Sequence, residues 1–225
     1  MKKIGMIVAI EMNSVHNRYG SAEKIENREN YDLYSYEMPN GRLYVLHCGI
    51  GELAAAAGTQ FLISRYQVDL IVNFGVVGGL TDEMSKQKVC LVEQVVHHDF
   101  DLSEFEPVKP GQYPAYPDVF LPATPELIEK AAALHPELKR VVCASGDQFV
   151  GSAEKKKALH ERFSADICEM EAAGILLTCL HNAVPCLLVK AVSDGLEGGA
   201  AECNRELDRA SELCLRIVDE IIQTI

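Results

Sequence analysis

Apolar residues fall along this chain in short runs whose period keeps changing. Ile4 to Ile10 is a nearly continuous apolar run, which predicts a strand buried on both faces, as in parallel sheets covered by helices. Tyr31 to Met38 and Arg42 to Cys48 flank Pro39-Asn40-Gly41, the pattern of two strands joined by a tight turn. From Gly51 to Tyr66 the period becomes helical, with alanines at 54 to 57 and Phe61-Leu62 on the later turns. Asp69 to Gly75 predicts a second buried strand, Gly75 to Leu80 a glycine-rich loop, and Lys88 to His97 a further strand.

Phe105 to Pro125 holds six prolines and predicts one long loop, and loops of that length in compact domains usually carry function or cover something. A helix from Pro125, a strand near Val141 to Ala144, a helix from Ala153 and a short strand reaching Cys168 follow. Then come a helix over Glu169 to Asn182 and a strand over Pro185 to Val192. Leu207, Ala210, Cys214, Ile217, Val218 and Ile221 form one stripe of a final amphipathic helix. Nothing reads as a linker or repeat. The expectation is a single α/β domain over 1–225, built on a mainly parallel twisted sheet flanked by helices.

The composition narrows the partners. The 225 residues include 33 Asp+Glu against 21 Lys+Arg, a net charge of −12, with 48% apolar residues. That chain length buries roughly two-thirds or more of its unfolded surface. The negative charge argues against nucleic acid or an anionic membrane as partner. No apolar run approaches the roughly 20 residues of a membrane span. The N-terminus reads as a first strand rather than a signal peptide, so the expected location is cytoplasmic. Eight scattered cysteines with no CxxC pair read as small core hydrophobes rather than metal ligands or disulfides.

In open α/β sheets, ligands bind beyond the carboxyl ends of the strands. That rule selects Ala9 to Asn13, Cys48 to Gly51, Asn73 to Leu80, Ser145 to Val150, Glu169 to Glu171 and Ala191 to Asp194. Taken singly, these segments have plain structural readings. Glu169-Met170-Glu171 reads as favourable charge at a helix start, Ser193-Asp194-Gly195 as a capping turn, and Gly49-Ile50-Gly51 as a weak anion-site signal.

In order along one chain they are more specific. The run Gly49-Ile50-Gly51, Asn73-Phe74-Gly75-Val76-Val77-Gly78-Gly79-Leu80, His98-Asp99-Phe100-Asp101-Leu102, Pro110-Gly111-Gln112-Tyr113-Pro114, Ser145-Gly146-Asp147-Gln148-Phe149, Glu169-Met170-Glu171-Ala172-Ala173 and Lys190-Ala191-Val192-Ser193-Asp194 resembles the nucleoside phosphorylase superfamily. Within it, the pattern is similar to the 5′-methylthioadenosine/S-adenosylhomocysteine nucleosidases. The resemblance covers nearly the whole chain. It implies hydrolysis of the bond between adenine and a 5′-substituted ribose, without metal or other cofactor, in a homodimer.

The resemblance also implies roles. Asp194, with Ser193 beside it, matches the acid that protonates the base at N7. Glu171 matches the carboxylate on the ribose 2′-hydroxyl, where positive charge develops in the sugar, with Met170 packing on the sugar. Phe149 matches the aromatic stacked on the base and Val150 a backbone contact to its edge. Val76, Val77, Gly78 and Glu169 fall in the matching wall. Ile50, Leu102 and Phe105 match the apolar 5′-substituent pocket, to which the family's second subunit contributes.

Four positions depart from the pattern. Asn13 stands where the family has a water-activating glutamate, and asparagine cannot take the proton; loss of a general base typically costs 10²–10⁴-fold. Glu11, two residues earlier, shares a face with Asn13 on an extended strand and is the candidate substitute. Val76 replaces a small polar residue, Lys190 an arginine, and Asn204 an aromatic that closes over the base. Two alternatives stay open. A phosphorolytic enzyme needs cations around phosphate, and the stretch Val72-Asn73-Phe74-Gly75 has no arginine. A catalytically weak nucleoside-binding homologue fits Asn13 but not the retention of Glu171 and Asp194. His97-His98-Asp99-Phe100-Asp101 reads as interface and structural hydrogen bonding rather than a metal site.

Overall fold

The computed structural model describes residues 2–20, 22, 24–28, 31–85 and 88–225. Among the described residues, ten strands form one mixed sheet. They are β1 (Lys2–Val8), β2 (Lys24–Arg28), β3 (Tyr31–Met38), β4 (Gly41–His47), β5 (Leu70–Gly79), β6 (Val89–His97), β7 (Phe120–Pro122), β8 (Lys139–Ser145), β9 (Ile167–Glu169) and β10 (Cys186–Asp194). Six α-helices accompany them: α1 (Met12–Tyr19), α2 (Glu52–Phe61), α3 (Pro125–Leu134), α4 (Ala153–Phe163), α5 (Ala172–Asn182) and α6 (Ala200–Ile222).

The sheet curls back on itself. β5 pairs with β10 and β9, β10 with β6, β6 with β8, and β8 with β9, so five strands close a ring. From β5 the sheet continues outward through β1, β4, β3 and β2. β1, β4, β5 and β10 run parallel, as do β6, β8 and β9, whereas β6–β10, β5–β9 and the β2–β3–β4 meander are antiparallel. The expectation of a helix-flanked α/β sheet holds, with more antiparallel pairing than the apolar runs suggested.

Burial follows the pattern of the runs. Every residue of β10 and all but one of β5 are buried, because helices cover both faces. The stripe of α6 packs on β10 and β5 together with α3, in a core that includes Phe74, Val189, Cys214 and Val218. On the other face α2 and α5 lie against each other over Leu46, Ile71, Ala172 and Leu188. Seven cysteines are buried and Cys203 is half-buried, all as free thiols; they pack as small apolar residues. No helix among the described residues is long and apolar enough to cross a membrane.

Several boundaries differ from the sequence reading, each for a local reason. β1 stops at Val8, and α1 follows in the segment read as extended; Met12 and Val15, one turn apart, are its buried face. The helix read over Gly51 to Tyr66 is α2 followed by a π-helical turn over Leu62–Tyr66. The segment read as a loop, Gly75 to Leu80, is the second half of β5, because β10 and β9 pair with it through Gly79. α5 starts at Ala172, with Glu169 ending β9 and Glu171 at the N-cap. Ser193 and Asp194 are the last residues of β10 rather than a turn.

Candidate functional site

The carboxyl ends of β1, β5, β9 and β10 converge on one cleft of about 530 Å³ of atom-free space, part of it open to solvent. Its place beyond the carboxyl ends of the strands is where ligands of open α/β sheets bind. Of the residues named from the sequence, Ile50, Val76, Val77, Gly78, Phe149 and Met170 supply its neutral wall, with Ser193 at its end. Four carboxylates, Glu11, Glu169, Glu171 and Asp194, line it as well. Val150 is buried in an adjoining recess behind Phe149. Leu102 and Phe105 lie outside the cleft lining, and Phe105 is 84% exposed.

Asn13 is not in the cleft. Once the chain turns into α1, residue 13 faces solvent while residue 11, before the first turn, points inward. Glu11 Oε1 accepts the Val76 N–H and Oε2 accepts the Ile10 N–H, both at 3.0 Å. A Cβ at Gly75 would lie 2.8 Å from Glu11 Oε1, so the missing side chain at 75 is what lets the carboxylate lie against β5. The shared face expected for Glu11 and Asn13 therefore does not exist, because the segment is helical rather than extended.

Glu171 is buried, and its Oε1 accepts the Gly51 N–H at 3.0 Å. Burial, and then the charge of Glu169, push its carboxyl up to about 7. Glu169 behaves oppositely. Burial is the largest single influence and opposes its charge, but the Lys190 ammonium 2.8 Å away and hydrogen bonds from Ser145 and the Ala172 N–H together hold the carboxyl below its ordinary range. Glu169 also accepts the N–H groups of Glu171 and Ala172, capping the start of α5. Lys190, fully buried, is thus committed to that carboxylate.

Asp194 is placed by a register shift between β10 and β5 at Val192 to Asp194, a bulge of the kind that re-aims side chains. Its Oδ2 accepts from Lys156 Nζ at 2.5 Å, and both side chains are almost wholly buried. The same ammonium donates to the carbonyls of Gly195 and Gly198, tying the acid to the turn that leads into α6. Ser193 Oγ lies 3.0 Å from Asp194 Oδ1 and 3.4 Å from Cys203 Sγ. Cys203 lines the cleft, while the neighbouring Asn204 is exposed.

Sequence reasoning missed Lys156 and Cys203. Lys156 sits inside Lys155-Lys156-Lys157, which reads as a solvated face, yet it shares the stripe of Leu159 and Phe163. That spacing of three and seven was the available signal. In the histidine segment, His97 Nδ1 lies 2.6 Å from the Tyr113 hydroxyl and Nε2 3.0 Å from Asp99. Its ring stacks with Phe100 and Tyr113.

Electrostatically the cleft is acidic. None of the residues that line it is Lys or Arg, and the two nearest ammonium groups already face Glu169 and Asp194. The N–H groups that open α2 are taken as well, Gly51 by Glu171 and Glu52 by Asp147. An anion such as phosphate finds no lysine or arginine among the residues that line the cleft.

Comparison with known proteins gives the family. The profile of the phosphorylase superfamily matches residues 3–223. A 5′-methylthioadenosine/S-adenosylhomocysteine nucleosidase of Shewanella piezotolerans is 32% identical over 209 residues, 88% of this chain and 89% of that protein. The nucleosidase of the same name from Staphylococcus aureus is 32% identical over 200 residues, 86% of each. Among solved structures, the Helicobacter pylori nucleosidase bound to a pyrrolidine inhibitor superposes with a TM-score of 0.93 at 26% identity, covering 100% of this chain and 99% of that one. A native structure described as futalosine hydrolase of the same organism gives 0.92 at 26% identity, covering 100% and 98%.

Proposed function

Because the chain belongs to the phosphorylase superfamily, and because its cleft is lined by carboxylates without a free cation, we propose that it is a nucleosidase. It hydrolyses the N-glycosidic bond of 5′-substituted adenosines such as methylthioadenosine, S-adenosylhomocysteine and 5′-deoxyadenosine. The relatives named as nucleosidases support the substrate class. The observation that carries the reading is the convergence of Glu11, Glu171 and Asp194 on one cleft.

The three carboxyl groups divide the chemistry. Adenine is a poor leaving anion, so Asp194 in its protonated state delivers a proton to N7 as the bond to the sugar lengthens, and the carboxylate so formed is held by the Lys156 ammonium. The ribose gains oxocarbenium character, and Glu171, steadied by the Gly51 N–H, strengthens its bond to the 2′-hydroxyl as that charge grows. Glu11 takes the proton of the attacking water, the role that Asn13 on the surface cannot fill. Phe149 stacks on the base, Val150 meets its edge, and Met170 packs on the sugar. Val76, Val77 and Gly78 form the β5 wall, Glu169 and Ser193 hold the two acids in place, and Ile50 begins the pocket for the 5′-substituent.

Leu102 and Phe105 complete that pocket in a homodimer. Exposed apolar side chains support the dimer: Ile50 and Phe149 on the cleft lining, and Leu53 and Phe105 outside it, are 58%, 49%, 82% and 84% exposed.

Phosphorolysis is the poorer reading, because a phosphate dianion would meet Glu11 and Glu171, while the ammonium groups of Lys190 and Lys156 are already bound to Glu169 and Asp194. The test is release of free base from methylthioadenosine, S-adenosylhomocysteine, 5′-deoxyadenosine, futalosine and inosine. Adenine from the first three supports the proposal. Release from inosine alone, or from none alongside measurable nucleoside binding, overturns it.

A further inference from the structure

Ser145, the last residue of β8, is fully buried, and its hydroxyl has three polar neighbours. It accepts the Ala173 N–H at 3.0 Å and lies 2.5 Å from both Glu52 Oε1 and Glu169 Oε1. A hydroxyl carries one hydrogen and can donate to only one of those carboxyl groups. Both carboxyl groups lie within hydrogen-bond distance of that hydroxyl, so the second contact is a hydrogen bond when one of the two carboxyls carries a proton.

The two glutamates are not equivalent. Glu169 faces the Lys190 ammonium at 2.8 Å and accepts two main-chain N–H groups, the surroundings of an ionised group. Glu52 is 5% exposed, and the hydrogen bonds of its carboxyl are to Ser145 and to the Gly174 N–H at 2.5 Å. We propose that Glu52 is held as a neutral carboxylic acid that donates through Ser145 to Glu169, and that this shared-proton chain positions Glu171.

The link to Glu171 is direct in the main chain. Glu52 opens α2, and the residue before it, Gly51, donates its N–H to Glu171. Through Gly174 the Glu52 carboxyl clamps the start of α2 to the first turn of α5. The fit is close, since a Cβ at Gly174 would lie 2.4 Å from the Glu52 carbonyl oxygen. Glu169, at the other end of the chain, accepts the N–H of Glu171 itself.

The groups around Glu52 oppose its ionisation. Glu169 and Glu171 face it from β9 and the α5 N-cap, Asp147 accepts its N–H from the loop after β8, and Tyr113 approaches from the loop after β6. Lys190 on β10 and His98 after β6 lie nearer Glu169, and burial holds the His98 imidazole below its ordinary range. Burial, and then the Glu169 charge, push the Glu52 carboxyl up to about 8. Ionised, Glu52 and Glu169 would compete for one hydroxyl hydrogen, and the α2–α5 clamp that aims Gly51 at Glu171 would loosen.

The test compares wild type with Glu52→Gln, whose amide carries its hydrogen permanently, in urea unfolding between pH 5.5 and 8.5. A proton bound in the folded state and absent from the unfolded chain makes the unfolding constant rise tenfold per pH unit across the interval between the two carboxyl values. Stability from this group is therefore full at acid pH and lost as pH rises to about 8. The expected result is a wild-type unfolding constant that gains about tenfold per pH unit relative to Glu52→Gln over that window. Parallel curves would overturn the proposal.

Kinetics give the second readout. Glu52→Ala raises KM for methylthioadenosine, Glu52→Gln restores it, and the wild-type loss of kcat/KM above pH 8 disappears in Glu52→Gln. This kinetic part rests on the nucleosidase reading, but the unfolding part does not. Diverging unfolding curves without turnover on any nucleoside would keep the proton assignment and reject the role of Glu171. Equal KM in all three proteins would reject the positioning role.

Discussion

The exchange of Glu11 for Asn13 in the water-activating role makes a sharp prediction. Glu11→Gln keeps the shape of the side chain but removes the base and one acceptor. The carboxylate now accepts two N–H groups, from Ile10 and Val76, each at 3.0 Å. An amide offers a single acceptor oxygen, so one buried N–H loses its partner, at about 1–3 kcal/mol. For a chain of this size that lowers Tm by roughly 2–4 °C per kcal/mol. Loss of the general base adds a 10²–10⁴-fold fall in turnover, about 2.7–5.4 kcal/mol in the barrier. Asn13 faces solvent, so Asn13→Ala and Asn13→Glu stay within about 0.5 kcal/mol of wild type and leave turnover within about twofold. The assay is adenine release from methylthioadenosine under saturating substrate, with a thermal melt on each variant. A hundredfold loss in Asn13→Ala, a rise in Asn13→Glu, or more than a tenth of wild-type turnover in Glu11→Gln would refute the assignment.

Three further outcomes are expected. In its proposed role Glu171 acts ionised, and burial raises its carboxyl to about 7; kcat/KM therefore climbs as pH rises towards about 7 and holds there until the loss above pH 8 that is tied to Glu52. Glu171→Gln is slow and lacks that limb, and a wild-type profile flat from pH 5 to 8 would contradict the role. Lys156→Met leaves the Asp194 carboxylate buried without its cation and destabilises the fold by roughly 3–5 kcal/mol in urea. Lys156→Met combined with Asp194→Leu recovers most of that loss yet stays inactive, and a cost below about 1 kcal/mol in the single variant would sink the argument. Leu53→Glu with Phe105→Ser halves the mass seen by light scattering and lowers turnover; an unchanged mass would reject the proposed interface.

The parts of the site legible in the sequence were those fixed by a strand end. Glu171, Met170, Ser193, Asp194 and Phe149 all follow apolar runs, and the rule that ligands sit at carboxyl ends placed them correctly in the cleft. Glu11 was ambiguous because facing depends on period. On an extended chain residues 11 and 13 share a face; when α1 begins at Met12 they separate. The pair Met12 and Val15 carried that helical period, but over only two turns. Lys156 was hidden for another reason. A lysine on a helix is normally solvated, and only the carboxylate brought to it by a distant strand, at Asp194, makes its burial tolerable. The glycines of β5 signalled a loop, yet pairing with β10 and β9 kept them extended.

The same surroundings that select the substrate select the acceptor. Both buried ammonium groups near the cleft are bound to carboxylates, and the Gly51 and Glu52 N–H groups are bound to Glu171 and Asp147, which favours water over phosphate as the nucleophile. The most direct measurement of this is ³¹P NMR of the protein turning over methylthioadenosine in phosphate buffer, with adenine followed in parallel. Adenine accumulating while inorganic phosphate remains the sole phosphorus signal is the predicted result. A sugar 1-phosphate resonance growing in step with adenine would contradict the account.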